Sequence, residues 1–176
     1  MVTTEEYAIY TAVCRSDLYN LKGPPDAIFK DRTACEPHSR APLDHLGGPF
    51  RYRCLKHPKL VQDFAIKNQT PWPLEKRFEV ATGFKLLSER CPGQFRLSRV
   101  GFTPDVRLGL VYLAYSGGRL IGAGHFLLFE RTGPEWTLAR WLPLQAQPCT
   151  LSWRADGDCR QFGLSGTSRA DDADGL

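Results

Sequence analysis

The sequence predicts an α+β fold: a curved antiparallel four-stranded meander in the C-terminal half, packed against two or three N-terminal helices. Three observations predict it. Apolar residues near the start recur at steps of three and four, the period of a helix face. From residue 84 the chain becomes rich in Val, Leu, Phe, Tyr and Trp, in short runs bounded by turn residues. The turns between those runs are short, and short connections join antiparallel neighbours.

The first helix is expected over residues 3 to 21. Thr3 and Glu6 have capping-box spacing, in which a hydroxyl and a carboxylate satisfy the first free N–H groups. Tyr7, Tyr10, Cys14, Leu18 and Leu21 form its apolar stripe, and Gly23-Pro24-Pro25-Asp26 ends it. Ala27-Ile28-Phe29-Lys30 reads as a short strand. Residues 31–57 hold Pro37, Pro42, Pro49 and Gly47-Gly48 without periodicity, and are expected to form a long loop. Pro58 suits the first turn of a second helix, with Leu60, Val61, Phe64 and Ala65 facing inward and an end near Asn68. After Pro71-Trp72-Pro73, Leu74 to Val80 reads as a third, short helix.

The strands are expected over Phe84–Ser88, Gln94–Phe102, Leu108–Tyr115, His125–Arg131 and Trp136–Leu142, the last four forming the meander. Thr103-Pro104-Asp105, Ser116-Gly117-Gly118 and Thr132-Gly133-Pro134 supply the turns. Gly122 and Gly124 suggest a bulge at the start of the His125 strand. The helices are expected on one face of the sheet. Residues 3–144 thus read as one α+β domain, and 145–176 as an irregular or disordered tail, rich in Gly, Ser and Asp. The 144-residue body carries 20 basic against 14 acidic residues, and the tail subtracts two charges from the total, leaving +4.

That balance limits the partners. Basic residues are spread without a run of five, which predicts no nucleic-acid partner. No apolar stretch approaches the ~20 residues of a membrane helix, so no membrane span is expected. Met1-Val2-Thr3-Thr4-Glu5-Glu6 lacks the basic start and apolar run of a signal peptide. The six cysteines are widely and irregularly spaced, unlike a disulfide-framework miniprotein.

Three features point to chemistry. Cys35, His38, Cys54 and His57 make a C-x2-H-x15-C-x2-H pattern, and two-residue gaps let each pair reach one zinc. Against zinc, strong signatures pair Cys with Cys or His with His, and Pro58 forces His57 toward extended backbone. No cofactor is the first expectation, and zinc the alternative. His125 shares a strand face with Leu127 and Phe129, so it is either a half-buried ring or a general base in a pocket. Arg99 either binds an anion in a concavity or sits on a solvated face. Arg99, Tyr112 and His125 are therefore the pocket candidates, and no catalytic residue is assigned.

The stretch Ser98-Arg99-Val100-Gly101-Phe102, then Gly109-Leu110-Val111-Tyr112-Leu113, Gly122-Ala123-Gly124, Phe126-Leu127-Leu128-Phe129 and Glu135-Trp136-Thr137-Leu138, resembles an uncharacterised, often exported bacterial family with an S-R-V-G-F strand. The resemblance spans about residues 5–142 with gaps in 31–57, and implies a periplasmic or extracellular setting and disulfides. It implies no activity. The helix-then-meander order is also similar to nuclear-transport-factor-like α+β rolls, although their catalytic Asp and Tyr find no matching positions here. Three readings follow: a non-enzymatic ligand-binding or accessory domain for a small molecule or protein, an enzyme using His125 as general base, and a zinc-stabilised interaction module.

Overall fold

The computed structural model of the chain describes residues 1–16, 27–34, 48–79, 84–89, 93–116 and 122–144. Helix α1, Thr4–Arg15, starts at the predicted capping box: the Glu6 N–H donates to Thr3 Oγ1 at 3.3 Å, and the Thr3 N–H donates to Glu6 Oε2 at 2.8 Å. Its far end is capped by Ser16, whose N–H donates to the carbonyls of Ala12 and Val13. Leu18 and Leu21 lie outside the described residues. Strand β1, Ala27–Lys30, follows.

Part of the expected 31–57 loop is a helix. Gly48–Leu55 forms α2, and Pro58–Lys67 forms α3 with Pro58 in its first turn. The expected third helix is absent: Leu74–Glu79 is irregular, held by the Leu74 N–H on the Asp31 carbonyl at 2.7 Å.

Six strands follow: β2 (Phe84–Leu87), β3 (Gln94–Leu97), β4 (Gly101–Phe102), β5 (Leu108–Ser116), β6 (Gly122–Thr132) and β7 (Glu135–Leu144). With β1 they make one sheet of seven strands in the order β2-β1-β3-β5-β6-β7, with β4 paired to β5. The antiparallel meander is its larger part. It is extended by β1, which lies parallel to both β2 and β3. The single strand expected over Gln94–Phe102 breaks at Ser98–Val100 into β3 and β4.

Helices cover both faces of the sheet rather than one. Tyr7, Ile9, Tyr10 and Val13 of α1 pack with Val111, Leu113, Leu127 and Phe129 on one face. Phe50 and Cys54 of α2 and Leu60, Val61 and Phe64 of α3 pack with Leu110, Tyr112, Phe126 and Leu128 on the other. That is why β5 is buried along Leu108–Ala114 without polar alternation. Each fully buried Leu or Phe contributes roughly 1.5–3 kcal/mol by leaving water, so the two layers hold the sheet from both sides.

The bulge also differs from expectation. The β6–β7 register runs unbroken from Gly124 to Leu128 and slips between Leu128 and Phe129. Gly124 has a different reason: a Cβ there would collide with the Tyr112 ring.

Candidate functional site

Arg99 sits neither in an open concavity nor on a solvated face. It is 6% exposed, and its guanidinium is paired bidentately with Glu6: Nε to Oε1 at 2.7 Å and Nη2 to Oε2 at 2.9 Å. Nη2 also donates to the Met1 carbonyl at 2.9 Å, and the guanidinium lies over the Trp72 ring. Burial alone would raise the Glu6 carboxyl, but the Arg99 contact and the N–H groups of Thr3 and Val100 hold it below its ordinary value. Burial likewise opposes the Arg99 charge, and Glu6 outweighs it, raising Arg99.

The pair belongs to a buried polar network that replaces the missing ladder between β3 and β4. The Asn68 side chain accepts from the Arg99 N–H at 2.8 Å and donates to the Arg99 carbonyl at 3.0 Å, as a neighbouring peptide group would. Tyr10 Oη donates to the Ser98 carbonyl, the Tyr112 N–H donates to Ser98 Oγ, and the Val100 N–H donates to Glu6 Oε1. Buried backbone groups need such partners. The work of Glu6, Asn68, Ser98 and Arg99 is therefore to close an interrupted strand.

The other two pocket candidates are not brought together. Cross-strand partners share a face, and Tyr112 pairs with Phe126 whereas His125 pairs with Leu113. Tyr112 therefore points into the α2–α3 layer, its ring centroid 5.2 Å from that of Phe126. His125 points to the opposite face with Leu127, as expected, 5.5 Å between centroids from Trp141. A single pocket lined by both is ruled out by the register. Burial lowers the His125 pKa, favouring the neutral ring.

Of the four zinc candidates, Cys35 and His38 lie outside the described residues. Cys54 is a free thiol on the inward side of α2. Burial pushes it up to about 12, against a smaller opposing pull from Arg53. His57 is the residue just before α3. Among the described residues no three His, Cys, Asp or Glu side chains converge as a metal site.

What does face solvent is the outer side of α2 and the start of α3. With Phe50 and Cys54 turned inward, the helical period turns Arg51, Tyr52, Leu55 and Lys56 outward. Tyr52 is 63% and Leu55 51% exposed, and the Lys56 ammonium lies 4.5 Å from the Tyr52 ring centroid. Lys59 follows, exposed, in the first turn of α3. Among the described residues Arg51, Lys56 and Lys59 have no ion-pair partner, whereas Arg53 is paired with Glu130 and Lys67 with Asp63. Lys59 also lines an open groove of about 380 Å³ with Gln62, Asp63 and Ile66 of α3 and Phe102, Thr103 and Pro104 after β4.

No protein-family model, curated protein or solved structure matches the chain.

The cations of R-Y-R-C-L-K-H-P-K, residues 51–59, are four in nine with no acid among them. Read as a loop they look dispersed. Folded, Arg51 and Lys56 stand exposed beside Tyr52 and Leu55 on the outward side of α2, and Lys59 follows, exposed, in the first turn of α3. The signal was local charge density, and the missing step was the α2 helix.

Proposed function

We propose that this chain is a small binding or accessory domain that docks through the outward side of α2 and the start of α3 onto an acidic partner. One observation carries the reading: exposed Arg51, Lys56 and Lys59 stand without ion-pair partners among the described residues, in a nine-residue stretch that also exposes Tyr52 and Leu55. Unpaired cations on one surface raise the local concentration of an anionic partner and speed encounter. Nearby cations that the fold uses for its own stability are already paired, which sets these three apart.

The test is retention on immobilised heparin, a generic polyanion. The wild-type protein is expected to bind at low salt and elute as salt screens the charges. The triple variant Arg51→Gln, Lys56→Gln, Lys59→Gln is expected to elute clearly earlier. Equal elution of the two would sink the proposal.

An enzymatic reading with His125 as general base keeps one supporting observation. The ring is half-buried, held toward its neutral form, and set beside half-exposed Trp141. A neutral imidazole accepts a proton near neutral pH. That reading requires an activity that His125→Gln abolishes at unchanged stability, and an activity that survives the substitution refutes it.

A further inference from the structure

We infer that the acidic partner is an anionic lipid surface, on which α2 rests at the headgroup level. The inference rests on the docking surface proposed above and names its occupant. Charge alone does not choose among polyanions, but the apolar side chains do. Tyr52 and Leu55 are more than half exposed on the outward side of α2, although Phe50 and Cys54 already supply its core contacts. The Lys56 ammonium lies over the Tyr52 ring. An aromatic ring and a leucine flanked by cations, with no carboxylate between them, match an element that lies in a membrane interface. The ring suits the headgroup level, leucine enters the acyl boundary, and lysine and arginine reach the phosphates.

Past Lys59 the surface mixes apolar and polar side chains, and its carboxylate, Asp63, is paired with Lys67. Ile66 is 63% exposed, and it lines the groove with Phe102 and Pro104. A nucleic acid is a poorer match, because phosphate gives an exposed leucine no partner and single-strand binding relies on several stacking platforms. Each lysine or arginine near an anionic membrane contributes about fivefold in affinity, so three contribute on the order of a hundredfold.

The experiment is co-sedimentation with large vesicles of phosphatidylcholine, with and without phosphatidylserine, run beside the heparin assay. The wild-type protein is expected to partition onto the phosphatidylserine vesicles only, and to come off as salt rises. The Arg51→Gln, Lys56→Gln, Lys59→Gln variant is expected to lose roughly a hundredfold in partitioning. Tyr52→Ser with Leu55→Ser is expected to lose vesicle binding and keep heparin retention. Circular dichroism and urea unfolding check that both variants remain folded. Vesicle binding unchanged by Tyr52→Ser with Leu55→Ser overturns the lipid inference. So does heparin retention without vesicle binding, or preference for an oligonucleotide over vesicles; in these cases the docking surface itself stands. Loss of both heparin and vesicle binding in the wild-type protein removes the surface as well.

Discussion

Glu6 and Arg99, 93 residues apart in the chain, form a buried bidentate ion pair beneath the break between β3 and β4. It ties the first turn of α1 to the middle of the sheet, and Glu6 also caps that helix. Removing one partner leaves the other charge buried alone, which costs about 3–5 kcal/mol. Glu6→Leu and Arg99→Met are each expected to lose that much in urea unfolding. The double variant is expected to lose less than the two losses added together, because neither charge is then stranded. Simple additivity would show that the pair is not energetically coupled.

Gly101 of the S-R-V-G-F stretch is set by packing. A Cβ there would overlap the Cβ and backbone of Phe64, where α3 crosses β4. Backbone cannot move aside as a flexible side-chain end can. Gly101→Ala is expected to cost more than the ~1–3 kcal/mol typical of overpacking, or to prevent folding. Gly133, at φ 63° with nothing near its Cβ, is the comparison. Gly133→Ala pays only for left-handed backbone, about 1–2 kcal/mol. Equal losses in thermal unfolding would contradict the close approach of α3.

Cys14 and Cys54 are free thiols, one in each core layer, and burial pushes both up to about 12. At about pH 8 only about one in ten thousand of such groups is thiolate, the reactive form. Peptide mapping after iodoacetamide treatment is expected to find both unmodified in the native protein and modified in urea. Rapid native labelling of Cys54 would mean that α2 opens from the sheet.

Much of this architecture was legible in the sequence, and the exceptions have physical causes. The capping box at Thr3 and Glu6 is local, and so are the turns at Thr103-Pro104-Asp105 and Thr132-Gly133-Pro134, whereas Gly117-Gly118 lies outside the described residues. The α2 helix is two turns long with only Phe50 and Cys54 to mark its inner side, and Gly48 and Pro49 disguise its start. Burial against the sheet, rather than propensity, makes it a helix. Leu74 and Phe78 have helical spacing, yet Phe78 enters an aromatic cluster with Tyr7, Tyr10, Phe29 and Phe84 from irregular backbone. The parallel pairing of β1 with β2 and β3 joins distant segments, which no local pattern encodes. Arg99 was legible as a special residue, but its partner lies in α1, so its role as a structural cation was not. His125 and Tyr112 were each placed on the right kind of strand, and only the register shows that they part to opposite faces.

Two ionisable groups divide the acid response of the fold into separate windows. His125 has a folded pKa below its ordinary 6.5, because burial disfavours the charged ring. Protonation therefore favours the unfolded chain, and stability present above 6.5 falls as pH drops through that value. Glu6 has a folded pKa below its ordinary 4.5, since Arg99 and the Thr3 and Val100 N–H groups outweigh its burial. Its contribution is present above 4.5 and is lost as pH falls further toward its folded value. Urea midpoints are thus expected to decline first as pH falls below about 6.5 toward the folded value of His125, and again below 4.5. His125→Gln removes the imidazole and is expected to flatten that first decline, leaving the loss below 4.5 in place. Arg99→Met is expected to remove much of the second decline, because Glu6 then lacks the partner that holds it ionised. A first decline of undiminished size in His125→Gln would assign it to another group and show that the ring by Trp141 is open to water.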